Sequence, residues 1–216
     1  MNHSAELIVL ASTKVGEKSV VLHTLSAQWG RRSFICSVSK STGMALFLPL
    51  NILNVEIIEN AKSELWRIHA ISASFPLNGI RSSVFKNTMT MFLSEVLYRT
   101  IKDGANEAGL FDWCRKSILT LDALESDFSN YHLRFLLELA GALGFDPSIE
   151  DLAPFAGKHL EELGKFIRLG FSESMLLPLS GESRNEMAEI LLKYLSHHTE
   201  SAINVRSLKV LRELYS

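Results

Sequence analysis

The sequence predicts an α+β protein, with a small five-stranded β-barrel over residues 1–79 and an all-helical region over residues 80–216. Three observations lead there. Apolar residues of the first part come in short runs broken by turn residues. After Ser74-Phe75-Pro76-Leu77-Asn78-Gly79 the apolar period changes from two to 3.6. Capping and stop signals then recur to the end. At 216 residues, with 47% hydrophobic and 21% charged, the chain is long enough for one large domain or two small ones and has the composition of a folded protein.

Leu7 to Ala11 is continuously apolar, as in a strand covered on both faces. Val15-Gly16-Glu17 makes the turn into a second strand, Val20 to Leu25. Gln28-Trp29-Gly30 closes the next connection. In the third strand Phe34, Cys36 and Val38 share one face, and Ser33, Ser37 and Ser39 the other. A polar loop, Ser39 to Ala45, precedes a fourth strand from Leu50 to Ile58. After the turn Glu59 to Ser63, Trp66, Ile68 and Ala70 alternate with Arg67 and His69 in a fifth strand, Glu64 to Ser72. Such spacing suits a closed barrel of the OB type. An SH3-like barrel gives the same pattern, and periodicity does not separate them.

Phe85, Met89, Phe92 and Val96 recur at helical spacing, so Ser82 to Lys102 is read as a helix that Asp103-Gly104 ends. Further helices are read at 107–124 and 130–143. The latter stops at Gly144, which can take the left-handed cap position, before Phe145 and Pro147. Residues 146–156 read as a loop and His159 to Leu169 as a helix. Ser183 with Glu186 reads as a capping box for a helix to about His197, and a last helix covers Ser207 to Leu214.

The net charge of -2 exerts no global pull toward nucleic acid. It hides a small asymmetry, net +2 over residues 1–79 against -4 over 80–216. Two isolated cysteines, Cys36 and Cys114, make neither a disulfide framework nor a zinc site and read as buried apolar side chains. The N-terminus has no cationic start and no long apolar run, and no stretch reaches the length of a membrane helix, so a cytoplasmic protein without membrane contact is expected.

Enzyme signatures do not occur: there is no phosphate-cradling loop, dinucleotide fingerprint, HExxH or nucleophile elbow, and no cofactor is expected. His197-His198 sit near a helix end, where the dipole accounts for them better than a metal. Asp146, Glu150 and Asp151 read as a solvated loop in preference to a divalent-cation site.

The candidate binding feature is the set Lys14, Lys18, Arg31, Arg32 and Lys40, all at turns or strand ends of the barrel. An OB barrel binds single strands with a cationic groove and exposed aromatic platforms. Trp29 and Phe34 are the aromatics nearest these charges, either as platforms or as core. The cations are equally open to a reading as solvated surface.

Several stretches in order resemble the RecO family of bacterial DNA-repair proteins. They are Ile8-Val9-Leu10 with Gly16-Glu17 and Val20 to Leu25; Gly30 with the basic residue after it and the third strand; the run from Arg134-Phe135 through Leu143-Gly144-Phe145-Asp146-Pro147; and Val205 to Leu214. Together they span nearly the whole chain, and the short C-terminal part looks most like Bacteroidetes members.

The resemblance implies an N-terminal OB domain, a helical second domain and no enzyme site. It implies a DNA repair and recombination mediator that binds single- and double-stranded DNA, anneals complementary strands without ATP, pairs with RecR and engages the acidic tail of the single-strand-binding protein SSB. By helping RecA load on coated strands it would act in the cytoplasm at the nucleoid. Lys14, Lys18, Arg31, Arg32, Phe34 and Lys40 then become DNA-contact candidates. Arg134 becomes the cation for the SSB tail, with Arg115 and Lys116 as helpers, because an acidic tail ending in an aromatic residue needs a cation beside an apolar groove. Many members carry four zinc cysteines after the Leu-Gly-aromatic-x-Pro segment. Residues 148–171 contain none, so that module is degenerate and no zinc is expected. Arg206, Lys209 and Arg212 either extend a DNA surface or are a solvated helix face. The competing reading is a protein-interaction adaptor whose helical part docks a partner tail and whose barrel does not bind DNA.

Overall fold

The structure, a computed structural model, describes residues 1–38 and 43–215. The chain forms two compact units, residues 1–78 with 101–118, and residues 79–100 with 119–216. A single cut after residue 79 therefore leaves out segment 101–118, which packs with the strands.

In the first unit β1 (Asn2–Lys14), β2 (Ser19–Ser26), β3 (Gly30–Ser37), β4 (Ile52–Ile58) and β5 (Trp66–Ala73) close in the order β1-β2-β3-β5-β4. All neighbours are antiparallel except β3 and β5, which pair in parallel from Phe34↔Trp66 to Cys36↔Ile68. That parallel joint gives the OB-type order and resolves the choice left open by periodicity. Leu7, Val9, Leu22, Phe34, Val55 and Ile57 fill the interior, and Phe47, from a 3₁₀ turn over Met44–Phe47, packs into it.

Ile8 and Leu10, the other half of the apolar run in β1, are closed off too, in keeping with a strand covered on both faces. Two bulges depart from the simple alternation. Val9 pairs with Thr24 but Ala11 with His23, so β1 carries one extra residue there. Glu56 pairs with Ala70 but Ile57 with Ile68, so His69 is extra in β5. The bulge overturns the expected Trp66-Ile68-Ala70 face: Ala70 is exposed and Ile71 packs on the core instead.

Segment 101–118 completes one edge of β3. Arg31 donates its amide to Ala105 O at 2.9 Å, and Gly104 donates to Arg31 O at 2.9 Å. Gly30 makes this approach possible: its φ is +57°, and a Cβ there would lie 1.9 Å from Ala105 O.

The helices are α1 (Asn78–Arg81), α2 (Val84–Thr100), α3 (Leu110–Ala123), α4 (Tyr131–Ala142), α5 (Ile149–Ala156), α6 (Leu160–Arg168), α7 (Phe171–Leu176), α8 (Gly181–Thr199) and α9 (Ser207–Tyr215). Met89, Phe92 and Val96 of α2 are buried, while Phe85 stays 43% exposed. After α4, Phe145 donates to Ala140 O at 2.8 Å and Gly144, at φ +84°, to Gly141 O at 2.9 Å, so the expected glycine stop is formed.

Residues 146–156 are not the expected loop. Ser148 Oγ accepts the Asp151 amide and Asp151 accepts the Ser148 amide, each at 3.1 Å, and this reciprocal cap starts α5 directly after Pro147. Asp151 is thereby committed to a cap, with its carboxyl held below the usual range by the Ser148 hydroxyl and amide. The cap of α8 is Ser180, which accepts the Ser183 amide at 3.0 Å; Glu186 instead meets Lys158 and His159. His197 and His198 lie among rings, 5.7 Å from Phe155 and 4.3 Å from Tyr194 respectively. Among the described residues no helix is long and apolar enough to cross a membrane.

Candidate nucleic-acid interface

Barrel register divides the predicted basic set in two. Lys14 ends β1 and Lys18 sits in the following turn, both exposed, beside the far end of β3, where Ser37 pairs with Ser19. Arg31 and Arg32 lie at the start of β3, where Arg31 pairs with Leu25. At ~3.3 Å per residue the two groups stand roughly 20 Å apart along the strand. Lys40 falls outside the described residues.

The two arginines are not equivalent. Arg31 is a structural residue: its side chain is 15% exposed, it donates to Ile101 O, and it sits 4.0 Å from the Asp103 carboxylate. Arg32 lies over the Trp66 ring, 3.8 Å from its centroid, and donates to Glu64 O at 3.0 Å. Its Nε is buried with no partner among the described residues. Phe34 corrects the sequence reading: it is 0% exposed inside the barrel, so it offers no surface to DNA.

Half-buried rings gather where Phe34 was expected to serve. Trp29 meets Phe34 at 5.8 Å, Trp66 at 5.7 Å and His3 at 5.7 Å, all edge-on. His3 stacks flat on Trp66 at 5.8 Å and bonds Glu59 at 3.0 Å, which holds the Glu59 carboxyl below its ordinary range. A cleft of about 480 Å³ opens beside them, lined by Trp29, Arg32, Ser33, Glu64, Asp103 and Gly104 among others.

Along the outer face His23 links Thr13 at 3.2 Å to Ser33 at 2.8 Å, and Arg67 of β5 donates to Ser37 Oγ at 3.0 Å. Burial, then the Arg31 charge, lowers the His23 pKa, so this histidine adds no positive charge at neutral pH. His3, Trp66 and Arg67 escaped the sequence reading. Alternation sets Arg67 on the face opposite Trp66 and Ile68, but only the parallel β3–β5 pairing brings it beside β3.

The three residues expected at a partner tail are built differently from one another. Arg115 donates to Glu6 at 2.8 Å and lies 5.0 Å from the Phe75 ring, and Lys116 is exposed; both belong to the first unit. Arg134, of the second unit, donates to Glu138 at 2.6 Å and Leu169 O at 3.0 Å and is 20% exposed. A groove of about 420 Å³ between α8 and α9 places Lys193 and Lys209 beside Leu192, Ile203, Val205 and Leu208.

Comparison with known proteins gives a consistent result. The family described as "Recombination protein O C terminal" matches residues 81–154. The chain is 29% identical to the DNA repair protein RecO of Phocaeicola vulgatus, over 97% of each chain. It is also 29% identical to that of Flavobacterium johnsoniae, over 100% of each, and to that of Bacteroides fragilis, over 96% of this chain and 97% of the relative.

Proposed function

We propose that this chain, as a member of the RecO family, is a DNA repair and recombination mediator without an enzymatic step of its own. It binds single- and double-stranded DNA on the outer face of the barrel, anneals complementary strands without ATP, and acts in the cytoplasm at the nucleoid. With RecR it helps load RecA on single strands coated by SSB. The observation that carries the DNA-binding part is a run of cations along the barrel: exposed Lys14 and Lys18 beside one end of β3, Arg67 on the outer face midway, and Arg32, on the Phe34 side of β3, stacked on Trp66 at the other end. Cations spread along one strand of an OB-type barrel suit a backbone that is tracked over several phosphates.

A zinc module does not fit this chain. Residues 148–171 contain no cysteine, and their one histidine, His159, is held between Glu162 and Glu186. Arg134 remains the proposed contact for the acidic SSB tail, through the share of its guanidinium that is exposed. The α8–α9 groove is the competing location, since it also offers cations beside apolar side chains.

The test is fluorescence anisotropy of labelled oligonucleotides across a salt series. Wild type should show a log–log slope of several, and Lys14→Ala with Lys18→Ala should reduce it by about 0.7 per lysine on single strands. Because Arg31 holds the barrel, reversal of its charge would confuse folding with binding, whereas the two lysines are free of that defect. No binding at low salt would sink the mediator reading and favour the adaptor. For the tail, Arg134→Ala should weaken an SSB C-terminal peptide while Lys209→Glu leaves it unchanged; the reverse result moves the site to the groove.

A further inference from the structure

We propose that the cleft beside Trp29 takes a single unpaired DNA base, with Trp29 as its stacking surface and Arg32 as the cation for the adjoining phosphate. The inference rests on the DNA-binding reading above and deepens it, because it says that this site reads strandedness.

Four features point to a base. Trp29 lines the cleft and is held by contacts to Phe34, Trp66 and His3. A ring fixed in advance loses little freedom on stacking, and any base has a face to offer it. The lining also includes Glu64 and Asp103. Arg31 and Arg32 line the cleft too, and Asp103 lies 4.0 Å from Arg31, so the carboxylates are offset by cations and serve as acceptors for the N–H groups of a base edge. Arg32 is fixed as well, 3.8 Å from the Trp66 ring centroid with one nitrogen on Glu64 O, and it lines the cleft, so a cation stands beside the place proposed for the base. Finally, about 480 Å³ is enough for a group of this size, within the roughly 300–1,000 Å³ usual for small-molecule sites. A base inside a duplex is stacked on both faces and turned toward its partner, so only an unpaired base reaches Trp29.

The experiment compares the intact protein on three DNAs at one salt concentration: a single strand, the same strand with abasic sites in place of most bases, and a duplex. The abasic strand keeps every phosphate and loses the stacking surface. Wild type should bind it about tenfold more weakly than the normal strand. Trp29→Ala should lower affinity for the normal strand by a similar factor and leave the abasic strand and the duplex unchanged, and Trp29→Phe should restore most of the loss. Unchanged duplex affinity shows that the variant is folded, and the two-strand comparison on wild type needs no variant. Equal wild-type affinity for normal and abasic strands would overturn the base site while leaving DNA binding standing. A wild-type preference for bases that survives Trp29→Ala, or a loss on all three DNAs alike, would overturn its placement in this cleft. No binding of any of them at low salt would overturn both readings.

Discussion

His132 on α4 is wholly enclosed, edge-on to Phe92, and burial with the Arg184 charge brings its pKa down to about 3. The unfolded chain takes up a proton near pH 6.5 that the folded chain refuses, so stability falls as pH drops from about 6.5 toward 3. At pH 5 this one residue accounts for about 2 kcal/mol. A His132→Phe variant should therefore lose less stability than wild type between pH 7 and pH 5 in urea titrations; an equal loss would assign acid sensitivity elsewhere. His159 acts with the opposite sign. Hydrogen bonds that its ring N–H groups donate to the Glu162 and Glu186 carboxylates raise its pKa above the ordinary value. Its contribution is full below about pH 6.5 and fades as pH rises through the raised value. His159→Gln should accordingly destabilise more at pH 6 than at pH 9, and a difference independent of pH would refute the charged pairing. Gly30 is a third residue with a sharp expectation. Gly30→Ala combines a positive φ with a collision on Ala105 O and should destabilise by about 2 kcal/mol or more, read from the urea midpoint.

At the scale of elements, what the sequence showed clearly was anything governed by a local signal. Gly16 and Gly30 marked barrel connections, the change of period located the end of the strands, and Gly144-Phe145 gave the end of α4 because the cap is written within six residues. What depended on pairing across the chain was not legible. Neither bulge has a sequence mark, and the closure of β3 on β5 decided both the barrel type and the placing of Trp66 and Arg67. The loop reading of residues 146–156 failed for a local reason: Pro147 stops one helix, and Ser148 with Asp151 starts another at once. That start can be tested. Ser148→Ala should cost about 1 kcal/mol, since the Asp151 amide loses its acceptor on Ser148 Oγ, and an unchanged urea midpoint would deny the cap its weight. In the site, the cations were legible by residue type. The aromatic partners were not, because Phe34 and Trp29 look alike in sequence and only the fold puts one inside and the other at the cleft.

At the scale of the whole molecule, the chain does not finish its barrel before it begins its helices. It leaves the first unit after residue 78, returns for 101–118 and leaves again within α3. Residues 104 and 105 supply the hydrogen bonds of Arg31, and Ile101 O receives its guanidinium. A fragment ending at residue 79 would expose all of these groups, and it should lack the cooperative unfolding of the intact protein; a sharp transition in that fragment would contradict the role given to segment 101–118. The same route sets a schedule during synthesis. At ~5–20 residues per second, the about 40 residues between positions 78 and 118 take roughly 2–8 s to follow the last strand out of the ribosome. For that interval the newborn barrel has every strand it will ever have and still shows an open seam at Arg31, which is when a nascent chain of this kind would be most in need of a chaperone.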